Sequence, residues 1–188
     1  MFGGVLALCC GSATLQAAQI ELLSRFTGAD GSAEILDFSA DGSTVVSTVS
    51  GDDLVGVQIL ELGADGFVQE RGSVDLSSAF GGAAIDGASS TALDPAGRGF
   101  GAVALIPDDN GGTPGKVALY DYRAGVADQD RLLAIVDVGF HPDSVRFSED
   151  GSQLLVANEG EVTTGGPTDA PGSVSIIDLA GVGGIADA

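Results

Sequence analysis

Short stretches along the chain alternate apolar and polar residues with a period of two. The clearest are "EILDFS" (residues 34–39) and "DSVRFS" (residues 143–148). That alternation predicts a β-strand with one covered face. Each is followed by an Asp-Gly pair, Asp41-Gly42 and Asp150-Gly151. Asp-Gly adopts positive φ cheaply, so it closes a tight hairpin into a second strand. "TVVSTV" (44–49) and "QLLVAN" (153–158) are those second strands. Third strands follow in "VGVQILEL" (55–62), "GKVALYD" (115–121) and "GSVSIIDL" (172–179). "FVQERGSVDL" (67–76) and "RLLAIVDVG" (131–139) read as fourth strands. "AGVADQDRLLA" (124–134) reads as a loop entering a strand, and no helical period stands out.

The strands recur as a module. "AEILDFSADGSTVVSTVS" begins at Ala33, "ASSTALDPAGRGFGAVAL" at Ala88 and "PDSVRFSEDGSQLLVANE" at Pro142, in steps of 55 and 54 residues. The turn pairs Asp41-Gly42, Ala96-Gly97 and Asp150-Gly151 keep the same step. Four antiparallel strands in about 40–55 residues make one β-propeller blade. The expected class is therefore all-β: about three four-stranded blades of an incomplete ring, the third lacking its fourth strand. Residues 19–188 are read as the N-terminal part of the propeller. "QIELLSRFTG" (19–28) is expected to be the strand that completes the last blade of the full ring.

Composition changes this picture at two points. The chain carries 27 Asp and Glu against 7 Lys and Arg, a net charge of -20. Such a field repels nucleic-acid phosphates and anionic lipid headgroups, so neither is an expected partner. The first residues, "MFGGVLALCCGSATLQAAQ", hold an apolar run too short to span a bilayer, followed by small residues. Residues 1–18 read as a secretory signal, although no Lys or Arg precedes the run. A buried N-terminal strand, and a lipid-anchored cysteine, remain open for the same residues. Both cysteines, Cys9 and Cys10, lie there, so a mature chain would carry no thiol. The expected location is secreted, extracellular or cell-surface, with the periplasm as a variant.

The stretch "HPDSVRFSEDGSQLLVANEGEV…DAPGSVSIIDLAG" resembles the choice-of-anchor I family, secreted bacterial proteins related to mesenchyme-specific cell surface glycoproteins. Pro142, Asp143, Val145, Phe147, Asp150 and Gly151 match its first motif. Residues 156–161 match its VANEGE block, and residues 172–178 match the strand after it. Val162 stands where the family usually has Pro, and His141 where it has a small or aliphatic residue. The resemblance implies a seven-bladed, surface-displayed propeller with a C-terminal anchor. It also carries over an alkaline phosphatase-like label without a mechanism.

In a four-stranded meander, the loop entering the first strand shares an end with the loop between the second and third. "GFHPD" (139–143), "NEGEVTTGGPTDAPG" (158–172) and "PDDNGGTPG" (107–115) should therefore meet on one face. Asp143, Asn158, Glu159, Glu161 and Asp169 gather there as candidate ligands for a hard cation such as Ca²⁺. They equally suit solvated loop charges of an acidic protein, since neither EF-hand nor nonapeptide spacing occurs. His141 is the single histidine, and Pro142 should hold it extended. Neither G-x-S-x-G nor H-E-x-x-H is present, so no catalytic residue is assigned. Arg98, Lys116, Arg123 and Arg131 are scattered and form no evident anionic-substrate patch. The expected function is a binding or adhesion scaffold for an extracellular protein or glycan. A metal-dependent phosphoesterase is the alternative.

Overall fold

The computed structural model describes residues 20–28, 31–109, 112–160 and 170–185. The strands that it shows are those that the alternation and the repeat together predict. The first sheet holds β1 (Leu36–Phe38), β2 (Thr44–Ser50), β3 (Val55–Leu62) and β4 (Val68–Asp75) in that order. The second holds β5 (Ile85–Leu93), β6 (Phe100–Pro107), β7 (Lys116–Asp121) and β8 (Leu132–Asp137). The third holds β9 (Pro142–Phe147), β10 (Gln153–Asn158) and β11 (Ser173–Asp178). All pairs are antiparallel neighbours, so each sheet is a meander. The loop before β8 contributes only a 3-10 turn at Asp128–Asp130.

The sheets pack face to face like blades. Between the first two lie Val46, Val57, Ile59 and Val74 on one side, with Val103, Leu105, Ala118 and Tyr120 on the other. Between the second and third lie Phe100, Ala102, Val117 and Leu119 against Val145, Phe147, Leu154 and Val156. Each core layer draws on alternate residues, and so the period of two puts an apolar face on both sides of the central blade. Phe100 and Phe147 meet edge to face across the second interface, with ring centroids 6.0 Å apart. Tyr120 is fully buried, and its hydroxyl pairs with Thr91 Oγ1 at 2.7 Å. The fold is a β-propeller of which three blades are described.

The repeat glycines Gly42, Gly97 and Gly151 all take positive φ, at 73°, 71° and 71°. In the first and third turns the aspartate organises the loop. Asp41 Oδ1 accepts from Ser39 Oγ, Ser43 N and Ser43 Oγ, while Asp150 Oδ1 accepts from Ser148 Oγ, Ser152 N and Ser152 Oγ. Those bonds stabilise the charged form and hold both carboxyls down at about 2. The second turn has Ala96 at that place, and Asp94 with Arg98 takes over the role.

The last blade, which residues 19–28 are expected to complete, is not among the described sheets, and residues 20–28 stand beside the first. They take no regular secondary structure and lie against the first sheet, where Ser24 Oγ donates to the Gly66 carbonyl at 2.8 Å. Leu23 packs beside Gly66, and Phe26 joins Val45, Val49 and Leu60 around a small apolar cavity.

Candidate functional site

Three loops meet at one end of the blades, as meander geometry requires. The connection from β8 to β9 runs beside the loop after β10, where Glu159 N donates to His141 O at 2.9 Å and Gly160 N to Phe140 O at 3.1 Å. The loop before β7 closes the group through Gly115 N to Gly139 O at 2.9 Å and Val138 N to Gly115 O at 3.0 Å. Gly115 leaves room for Pro142, whose Cδ lies 2.2 Å from where a Cβ would stand.

Asn158 holds this junction together. Its side chain is buried, and its Oδ1 accepts from Gly139 N at 3.1 Å. Its Nδ2 donates to Ser175 Oγ at 3.0 Å and Ser173 Oγ at 3.2 Å. The amide is thus committed to loop backbone and strand hydroxyls, where the sequence reading placed a cation ligand. Asp143 and Glu159 are exposed carboxylates at this end, and Glu161 and Asp169 lie outside the described residues. Among the described residues, no group of three or more His, Cys, Asp or Glu side chains is placed to hold a metal ion.

His141 is not extended. It has φ of 50°, the one non-glycine residue with positive φ among the described residues. Proline at position 142 disfavours the helical region for its predecessor but does not dictate φ, and the bonds of Phe140 O and His141 O to the β10 loop hold the chain in this bend. Positive φ in a non-glycine residue stores strain of the order of 1–3 kcal/mol.

A concavity lies beside this junction, along the inner edge of the blades. It is a groove of about 770 Å³ running the length of the innermost strands β1, β5 and β9. Ile35, Leu36 and Phe38 form an exposed apolar wall, and Asp143, Ser144 and Arg146 form a polar one. Pro95 and Phe147 line the end nearer the hairpin turns. A wall of this mixed character can stack against an apolar face and hydrogen-bond a polar edge at once.

The rim of the groove is tied by bonds between blades. Asp37 Oδ2 accepts from Leu93 N at 2.8 Å, and Ser90 Oγ accepts from Val145 N at 3.1 Å. Ser50 Oγ accepts from Ala88 N at 3.0 Å, and Ser89 Oγ donates to Pro142 O at 2.5 Å. Each satisfies an inner-edge backbone group that has no strand beside it.

The cations that look scattered in sequence are clips. Arg98 forks onto Asp94, and reaches Gly151 O and Val182 O, both at 2.6 Å. Its guanidinium also lies 4.8 Å from the Phe100 ring centroid. Burial pushes the Asp94 carboxyl up, but bonds from Arg98 and its charge outweigh this and leave it below the usual carboxylate range. Arg131 is buried and donates to the carbonyls of Asp121 and Arg123, at 3.0 and 3.1 Å, and to Asp128 Oδ1 at 2.9 Å. Arg71 donates across the first interface to the Tyr122 carbonyl. Sequence reasoning missed the bonds between blades because Gly151, Val182 and Tyr122 offer backbone carbonyls on distant segments.

Comparison with known families finds that the choice-of-anchor I domain matches residues 34–187. The chain belongs to the choice-of-anchor I family. No curated protein matches the chain. Solved structures of similar fold include the periplasmic gluconolactonase PpgL of Pseudomonas aeruginosa, at 23% identity and a TM-score of 0.55, with 81% of this chain and 44% of that one covered. A Lactobacillus plantarum protein shares 17% identity at a TM-score of 0.55, with 85% and 49% covered. A putative 6-phosphogluconolactonase of Bacteroides uniformis shares 17% at 0.54, with 87% and 47% covered. This choice-of-anchor I domain therefore spans a little under half the length of each, and the likeness concerns the fold. Their shared architecture agrees with the blade arrangement built above.

Proposed function

We propose that this choice-of-anchor I chain is part of a secreted or surface-displayed propeller acting as a binding or adhesion scaffold. The observation that carries the reading is the groove along β1, β5 and β9, which opens beside the exposed carboxylates of the loop junction. The preferred ligand class is an extracellular protein or glycan, met by the Phe38 ring and by Asp143, Ser144 and Arg146. Export is supported by the character of residues 1–18, and one structural neighbour is named as periplasmic. No helix among the described residues is long and apolar enough to cross a membrane. The phosphoesterase reading rests on a family label alone.

The test pairs binding with turnover. The chain is applied to immobilised glycans and extracellular-matrix proteins, with Ca²⁺ and with a chelator. In parallel it is offered p-nitrophenyl phosphate and gluconolactone with divalent metals. Saturable binding weakened by Phe38→Ala and Asp143→Asn, without turnover, is the expected result. Hydrolysis that disappears in Glu159→Gln with Glu161→Gln would replace the scaffold reading with an enzymatic one.

A further inference from the structure

The groove along β1, β5 and β9 holds polar groups of two kinds. On β1 and β5 they are committed within the protein. Asp37 takes the N–H groups of Phe38 and Leu93, and Ser90 takes that of Val145. Thr91 donates to the Ala102 carbonyl and pairs with the Tyr120 hydroxyl. On β9 they are open: the side chains of Asp143, Ser144 and Arg146 are exposed and bonded to no described group.

Arg146 is the unusual member of that wall. With 27 Asp and Glu to 7 Lys and Arg, carboxylate partners are in surplus. Arg71, Arg98, Lys116, Arg123 and Arg131 each hold a carbonyl or a carboxylate. Among the described residues only Arg25, outside the groove, shares the unpaired state of Arg146. A guanidinium is weakly hydrated and forks onto a carboxylate through two parallel bonds. On the β1 wall, Leu36 and Phe38 are 57% and 51% exposed, and an aromatic ring offers a flat apolar face to a ligand ring. The volume of about 770 Å³ falls among the ~300–1,000 Å³ pockets that enclose small organic ligands.

The geometry points to a saccharide with one isolated carboxylate, a uronic acid among neutral sugars, as the occupant of this groove. Arg146 forks onto the carboxylate, Asp143 and Ser144 bind neighbouring hydroxyls, and Phe38 packs against the C–H face of a pyranose. The inference rests on the scaffold reading above and narrows it to one ligand class. The net charge of -20 limits how much charge the ligand can carry. Beyond the one carboxylate that Arg146 pairs, each further sulfate or carboxylate meets an opposing field, and Asp143 adds to it locally. A polysulfated glycan or an acidic peptide is therefore the poorer fit. A neutral glycan leaves the guanidinium unpaired.

The test is isothermal titration calorimetry on the whole chain. Disaccharides ending in glucuronic, galacturonic or mannuronic acid are compared with their methyl esters, which keep the shape and remove the charge, and with heparin. At least one acid should bind about tenfold more tightly than its ester, and the advantage should shrink in high salt. Arg146→Gln should abolish the advantage and Arg146→Lys keep part of it, while Arg25→Gln leaves it unchanged. Circular dichroism of each variant checks that the blades remain folded. The inference is overturned if acids and esters bind alike, if heparin binds more tightly than every acid, or if Arg146→Gln keeps the preference. It is also overturned, with the scaffold reading intact, if these sugars fail while another glycan or a matrix protein binds saturably. Absence of binding to every probe removes both readings.

Discussion

Replacing Arg98 by Met tests whether the clip between the second and third blades holds the fold. The Arg98 and Asp94 side chains are 16% and 0% exposed, and their closest contact is 2.8 Å. Removing the guanidinium leaves a fully buried carboxylate without its partner, and also frees the carbonyls of Gly151 and Val182. Breaking a buried pair from one side costs about 3–5 kcal/mol, against 0–1 kcal/mol for an exposed one. Arg98 is not wholly enclosed, so the lower end, about 3 kcal/mol, is expected. For a domain of this size that lowers Tm by about 6–12 °C. Differential scanning calorimetry at neutral pH, with urea unfolding beside it, reads both numbers. The loss should also shrink in acid. Asp94 is depressed in the folded protein, so its pairing contributes stability above the unfolded carboxylate pKa and loses it as pH falls through the folded value. Adding Asp94→Ala should recover part of the loss, because no charge is then left buried. A cost below about 1 kcal/mol, or one that does not change with pH, would refute the view of Arg98 as a buried clip.

Asn158→Ala should cost about 2–3 kcal/mol in urea unfolding, since it strips the Gly139 N–H and two serine hydroxyls of their partner; a loss near zero would mean water replaces the amide. Gly56→Ala should destabilise more than most surface changes: φ is 151° and an added Cβ would sit 2.0 Å from the Val74 carbonyl, so a soluble variant of unchanged Tm would contradict that contact. Asp41 and Asp150, both held at about 2, should support the folded state above the ordinary carboxylate pKa and stop doing so as pH falls toward 2. Carbon-detected NMR titration should show Ser43→Ala raising the Asp41 value, because it removes the Ser43 Oγ bond, one of the three that Asp41 Oδ1 accepts, and leaves those of Ser43 N and Ser39 Oγ.

The chain's own order of residues determined the strands, their antiparallel pairing, the hairpin turns and the repeat. These rest on local rules: alternation chooses a sheet face, and glycine after aspartate permits positive φ. It also determined that three loops share an end, because a meander has only two ends. The roles of individual polar residues were decided by the tertiary structure. Asn158 became a loop brace, His141 took a left-handed bend, and Arg71 and Arg98 became clips between blades. Arg98 reaches Gly151 and Val182, and Asp37 reaches Leu93, across more than fifty residues of sequence. A hydrogen bond depends on which groups packing brings within about 3 Å, and packing of one blade on the next is a property of the assembled sheets.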